Sequence, residues 1–258
     1  MRSGTPRIRS TGRTLAMLEA VIVDRGQSSI AALARATQVP LATAHRQVAT
    51  LVAEGYLANA PRERYIPGPR LLGLLQMVDA KQLIVQVAEQ KLGALARQLK
   101  TIVQLGTLEN DMVTYRLKAG VRSAELFTQV GMQLEAYCSG MGKVLLAYLS
   151  EPDRESYLAT GPFPTLTTTT ITDAATLRTV LRDVRQDGFA FDRAEILEGI
   201  YCVAAPVCDH TGTAHAAISA TFDNIAETED ALPAVIQTAQ SIQLAAFGAP
   251  AAANSRND

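Results

Sequence analysis

Along this chain the spacing of apolar residues keeps changing, and each change marks an element. From Arg13 to Arg25 the apolar residues Leu15, Leu18, Val21 and Ile22 recur at helical spacing, and Gly26 ends the run. Ser28 or Ser29 then caps a short helix that turns Ile30, Leu33 and Ala34 inward. Gln38-Val39-Pro40 is a turn, and Pro40 suits the first position of the next helix, where its missing N–H is not needed. That helix puts Leu41, Ala44, Val48, Leu51 and Val52 on one stripe. After Gly55 the period falls to two. Tyr56-Leu57 and Arg64-Tyr65-Ile66 read as two strands joined by Asn59-Ala60-Pro61-Arg62-Glu63.

Pro67-Gly68-Pro69 breaks the chain, and Pro69 opens a helix in which Leu71, Leu72, Leu74, Leu75 and Val78 leave little polar surface. Such a helix needs a partner. Either it pairs with its copy in a second subunit, or half of its leucines pack on their own domain. Leu83 to Leu99 continues helically, with Ile84, Val87, Ala88, Leu92, Leu95 and Leu99 on one side. Strands then follow at Thr101–Leu108 and Met112–Leu117, and Leu126–Val130 reads as a third. Ser139-Gly140-Met141-Gly142-Lys143 leads into a helix through Leu149, and Ser150 caps another to Leu158. Gly161–Thr172 is a loop, Asp173–Asp187 an amphipathic helix. Strands Phe189–Asp192, Cys202–Val207 and Ala214–Phe222 precede a last helix, Glu229–Phe247. The pattern predicts an α+β chain. Residues 1–12 form a basic arm, 13–68 a winged helix-turn-helix, and 69–82 a linker helix. Residues 83–248 form one domain with a mostly antiparallel sheet flanked by helices, and 249–258 a flexible tail.

Charge adds a function to the first domain. The face of the Leu41–Val52 helix opposite its stripe carries Ala42, Thr43, Arg46, Thr50 and Ala53, which is small, polar and basic. Residues 1–80 hold ten Arg, no Lys and five acids, a net of +5, while the remainder carries −6. The whole-chain charge of −1 hides a basic end suited to phosphate. This predicts double-stranded DNA as a partner, with Arg46 in the major groove and Arg62 and Arg64 of the wing on the flanking backbone. A packing module that binds nothing is the competing reading. His45 is expected to pack at the edge of the small core.

At 258 residues and 48% hydrophobic content, two cores are within reach. No run of 18 apolar residues predicts a membrane span. The cysteines, Cys138, Cys202 and Cys208, are odd in number and lack metal-ligand spacing, which fits a reducing cytoplasm. With three His in the chain, neither a metal nor a cofactor is expected.

The order RTLAMLEAV, IAALARATQVPLATAHRQVATL, GYL…RYIPGPRLLGL, SGMGKVLLAYL, GFAFDRAEILEGIYCVAAPV and AAISATF resembles the IclR family of bacterial transcription regulators over residues 13–247. Leu41 and Ala42 stand where that family often has Lys and Ser, and Pro67 where it has Leu. The resemblance implies a winged helix-turn-helix, a dimerising linker helix and a GAF-like effector domain. It also implies homodimers or tetramers on an inverted-repeat operator, sensing a small organic acid to control a catabolic operon. Its ligand pocket falls on Gly140, Met141, Asp192, Cys202, Ser219 and Thr221, with Leu126, Leu134 and Ile200 as apolar walls.

The residues themselves support part of that set. Ser219 and Thr221 are two apart on a strand, so both hydroxyls share one face and either hold a ligand or bond within the sheet. Gly140 and Met141 open a helix, where free N–H groups favour an anion. Asp192 is either exposed or, if buried, an acceptor for a ligand hydroxyl or a water. Cys202 reads as a small buried hydrophobe and Lys143 as a solvated helix residue. No catalytic set is apparent, so an enzyme is not expected. A cysteine-based redox sensor or GAF-type enzyme is the alternative, although neither His210 nor His215 is spaced to activate a thiol.

Overall fold

A computed structural model describes residues 8–120 and 126–248 of the chain. The expected arm up to residue 7 and the tail from residue 249 lie outside the described residues. The chain divides into two compact units, Met1–Asp79 and Ala80–Asp258.

The first unit contains α1 (Arg9–Asp24), α2 (Ile30–Ala36), α3 (Leu41–Ala53), β1 (Leu57–Ala60), β2 (Arg64–Pro67) and α4 (Pro69–Met77). Met17 and Val21 of α1, Ile30, Leu33 and Ala34 of α2, and Ala44, Val48 and Leu51 of α3 build its core with Val39 and Leu57. Helix α1 starts four residues earlier than its apolar pattern suggests, and its inward residue is Met17, not Leu15. Leu15 is 53% exposed, because two residues rotate it about 200° from Met17. Leu41 is also exposed. It shares the angle of the α3 stripe but lies in the first turn, where side chains lean back beyond the packed core. Pro40 is the residue before α3 and not its first residue. Ser29 caps α2 by accepting the Ala32 N–H at 3.4 Å.

Strands β1 and β2 pair antiparallel from Leu57↔Pro67 to Ala60↔Arg64, and Arg62 and Glu63 turn the hairpin with positive φ. Gly68 then brings α4 back against the wing. A Cβ there would sit 2.3 Å from the Gly55 carbonyl oxygen, so only glycine fits. Helix α4 buries none of its residues, and Leu72, Leu74, Leu75 and Met77 all face outward. It stops at Met77, short of the end of the expected linker helix 69–82, and Val78 is extended.

The second unit contains α5 (Ala80–Leu99), β3 (Ile102–Glu109), β4 (Met112–Ala119), β5 (Gln133–Glu135), α6 (Gly140–Ala147), α7 (Glu151–Leu158) and α8 (Ala174–Asp187). It ends with β6 (Ala190–Arg193), β7 (Tyr201–Cys208), β8 (Ala214–Phe222) and α9 (Ile225–Phe247). The six strands run β5-β4-β3-β8-β7-β6, every pair antiparallel. Helices α5 and α9 cover one face, where Val103, Leu105, Val203, Ala205, Val207, Ile218 and Ala220 point. Helices α6 and α8 cover the other over Val113, Tyr115, Ala190, Ala204 and Ala217. Burying each large side chain of these cores stabilises the unit by about 1.5–3 kcal/mol.

Three departures from the sequence pattern matter here. Leu126–Val130 is not a strand; the short edge strand is β5, whose pairing with Met112–Thr114 is too brief for periodicity to reveal. Arg116 is an extra residue in β4, since Leu105 pairs with Leu117 while Gly106 pairs with Tyr115. That bulge lets Tyr115 face α6 while Leu117 faces α5 and α9. Helix α9 begins at Ile225, four residues early, capped by Asn224 through the Ala226 N–H at 2.9 Å. Among the described residues, no single helix is long and apolar enough to cross a membrane.

Candidate functional site

Helix α3 presents an acid-free outer face. Ala42, Arg46, Thr50 and Ala53 are exposed and Thr43 is half-buried. The Thr50 hydroxyl donates to the Arg46 carbonyl at 2.8 Å, so it is held against its own helix. His45 departs from expectation: it is exposed and not packed, about 100° around the helix from Arg46. At the wing, Arg62 projects from the turn, whereas Arg64 is half-buried. Against the upward push of burial, hydrogen bonds from Ser28, with a smaller pull from the Arg64 charge, hold the Asp24 carboxyl below its usual range.

The second unit contains a small cavity of about 20 Å³, room for roughly one water. Strand periodicity and register explain what lines it. On β8, Ile218, Ala220 and Phe222 turn to α5 and α9, so Ser219 and Thr221 turn to α6. Thr221 pairs with Cys202 on β7, and Cys202 pairs with Asp192 on β6, which sets three polar side chains in one row across the sheet. Ser219 pairs with Gln104 on β3. Above this row sits the first turn of α6. Ser139 caps it by accepting the Gly142 N–H at 3.0 Å. Gly140 and Met141 are its first two residues, whose N–H groups have no intrahelical partner. Gly142 lets this turn sit close to the preceding loop, because a Cβ there would lie 2.0 Å from the Ala136 carbonyl oxygen.

Gly140, Met141, Asp192, Cys202, Ser219, Thr221, Leu126 and Ile200 all line the cavity. Leu134 does not. It lies on β5 opposite Val113 and packs beside the core beneath α6. Sequence reasoning missed Gln104, Tyr115, Phe127, Thr128, Ser139 and Ile196. Gln104 was legible in principle, since Val103 and Leu105 flank it as core residues on the opposite face. The segment 126–128 was not, because it has no regular structure. It is clasped from two sides. Gln104 Nε2 donates to Thr128 Oγ1 at 2.7 Å, and Lys118 Nζ donates to the carbonyls of Leu126 and Thr128 at 2.9 and 2.5 Å. Outside it, Leu126, Ile200 and Thr221 also line a neighbouring cleft of about 350 Å³.

The electrostatics hold one correction. Lys143 is no solvated residue; it is 2% exposed and its ammonium pairs with Glu195 Oε1. The second Glu195 carboxylate oxygen, Oε2, is buried without a partner. Asp192 is buried beside this pair, and its Oδ1 accepts the Glu195 N–H at 2.8 Å. Burial pushes Asp192 up to about 7, against the opposing pull of Lys143. The Cys202 Sγ lies 3.4 Å from Thr221 Oγ1. Burial also pushes the thiols up, Cys138 to about 12 and Cys208 to about 11, with Cys202 higher still. Nothing here favours a thiolate, which leaves the redox reading without support. Among the described residues no group of three His, Cys, Asp or Glu could hold a metal.

The comparisons with known proteins agree with this architecture. Residues 10–61 match the IclR helix-turn-helix domain, and residues 76–244 match the family model described as bacterial transcriptional regulator IclR C-terminal. The HTH-type transcriptional regulator KdgR of Escherichia coli is 28% identical over 231 residues, covering 87% of this chain and 86% of its own. The Pca regulon regulatory protein of Pseudomonas putida is 27% identical over 212 residues, covering 81% of this chain and 72% of its own. Among solved structures, an IclR homolog from Microbacterium hydrocarbonoxydans, complexed with 4-hydroxybenzoate, aligns with a TM-score of 0.58 at 26% identity, covering 92% of this chain and 98% of that one. The relatives are named as transcription regulators and not as enzymes. The chain belongs to the IclR family, as a DNA-binding, ligand-responsive transcription regulator.

Proposed function

We propose that the chain controls a catabolic operon by sensing a small organic acid in the α6 cavity. The observation that carries this reading is the convergence of two hydroxyls, Ser219 and Thr221, with the open N–H groups of Gly140 and Met141 around one small cavity. A carboxylate accepts from those donors. Asp192 and Cys202 complete the polar set, and Leu126, Ile200 and Met141 supply apolar wall. An IclR homolog bound to 4-hydroxybenzoate lends support to an acid as the ligand class.

On the DNA side, Ala42, Thr43, Arg46 and Thr50 enter the major groove, and exposed His45 joins them. Arg62 and Arg64 reach phosphates. The apolar surface of α4 pairs two copies, so the operator is an inverted repeat. Residues 13–68, 69–82 and 83–248 serve as the reading, pairing and sensing parts. The test begins with a panel of small carboxylic acids screened for a rise in melting temperature of the whole chain. Ser219→Ala should then weaken the selected acid roughly tenfold to a hundredfold, the worth of a hydrogen bond to a charged group. Unchanged affinity in both Ser219→Ala and Thr221→Ala would place the sensor elsewhere.

A further inference from the structure

The charges around the cavity do not balance once an anion is inside it. Among the described residues, no Lys, Arg or His lines it. The groups facing Asp192, among the described residues, are spread over several neighbouring elements. They are Lys143 on α6, Glu195 in the turn after β6, Cys202 on β7, Cys138 ahead of α6, and Tyr115 on β4. Lys143 and Glu195 neutralise each other in a buried ion pair. Burial raises both thiols and the Tyr115 hydroxyl, so these three stay neutral near pH 7. Among the described residues, Asp192 thus sits at 1% exposure beside a cation, Lys143, that is already paired with Glu195, and it is fixed through Oδ1 by the Glu195 N–H. A second carboxylate beside it would put two like charges in a site with little water, and such a pair does not stay doubly ionised.

We infer that this site takes up its acid effector together with one proton from solvent, shared between the effector carboxylate and Asp192, so that occupancy reports pH as well as effector concentration. This rests on the acid-sensing reading of the cavity. The balance is simple: one carboxylate from the protein, one from the effector and one proton give a carboxyl–carboxylate hydrogen bond of net charge −1. Asp192 then acts as a donor to the acid. It is a specificity-determining residue, because an acid brings the charge that draws in this proton, whereas a neutral amide or alcohol of the same shape does not. Burial prepares the step by holding Asp192 near half protonation at about pH 7 before the effector arrives.

Acetate, lactate and 4-hydroxybenzoate serve as probes, each titrated into the whole chain by calorimetry in phosphate and in Tris between about pH 5.5 and about pH 8.5. The difference in heat between the two buffers counts protons. Uptake should approach about one proton per bound probe near the alkaline end and fall toward zero near the acid end. Affinity should be level below about pH 6 and drop about tenfold per unit above about pH 8. Asp192→Asn should abolish both the uptake and the slope. If that variant fails to fold, proton uptake by the parent chain decides alone. Binding without uptake, with level affinity across the range, would overturn the inference and leave Asp192 as an acceptor for a ligand hydroxyl. A parent-like slope in Asp192→Asn would overturn it equally. If no probe binds at any pH, the acid-sensing reading falls and takes this inference with it.

Discussion

A methyl group on Gly142 has nowhere to go, since Ala136 backbone atoms occupy its place. Gly142→Ala should therefore cost the second unit about 1–3 kcal/mol or more, measured as a fall in its urea midpoint. A midpoint within error of the parent would mean the α6 turn relaxes freely. Asp192 gives a prediction in pH. Its folded value of about 7 lies above the ordinary 3.8, so the folded state holds the proton more tightly than the unfolded chain. Its contribution to stability is full below the ordinary value and lost as pH rises toward 7, which makes the advantage of Asp192→Asn over the parent grow across that window and then level off. An advantage independent of pH would assign the titration to another group. For DNA, Arg46→Ala should lose about 1–3 kcal/mol on the operator alone, whereas Arg62→Ala should weaken all sequences and flatten the salt dependence. Equal loss on operator and random DNA would make Arg46 a phosphate contact. At this scale the sequence was readable wherever a residue's period fixed its face, as for Ser219 and Thr221. It misled at Lys143, because nothing local announces that Glu195, 52 residues away, will bury with it.

Helices and strands were legible in proportion to their length. The 14-residue α8 stood out through its amphipathic period, and the structure caps it with Asp173 and ends it at Gly188. The three-residue β5 did not, nor did the Arg116 bulge, because both depend on a partner strand. The same dependence hides the row Asp192, Cys202, Thr221. Each residue could be placed on a face from its own strand, but only the cross-strand register makes them neighbours. Among the elements, α4 carries the clearest prediction. Leu72 and Leu75 are 53% and 59% exposed, so replacing both with Asp should leave the fold of each unit intact. If α4 pairs two copies, the double variant should sediment as a monomer and lose operator affinity, since charge in an apolar seam has no partner. An unchanged sedimentation coefficient would move the pairing surface off α4.

For the whole molecule, sensing must appear as a difference in effector affinity between the DNA-bound and free states. That coupling should be about 1–3 kcal/mol and reciprocal: the acid should shift operator affinity by the same factor by which operator shifts the acid. Unequal factors in the two titrations would show that a third equilibrium, such as assembly, intervenes. The clasp on segment 126–128 carries a consequence in time. If segment 126–128 is the wall that moves, Thr128 must leave Gln104 and the Lys118 ammonium must release two carbonyls before a ring-bearing acid fits. Opening then precedes capture, so the observed association rate should rise with acid concentration and reach a ceiling set by the protein alone. Gln104→Ala should lift that ceiling in stopped-flow traces, trading a slow sensor that ignores brief pulses of metabolite for a fast one that follows them.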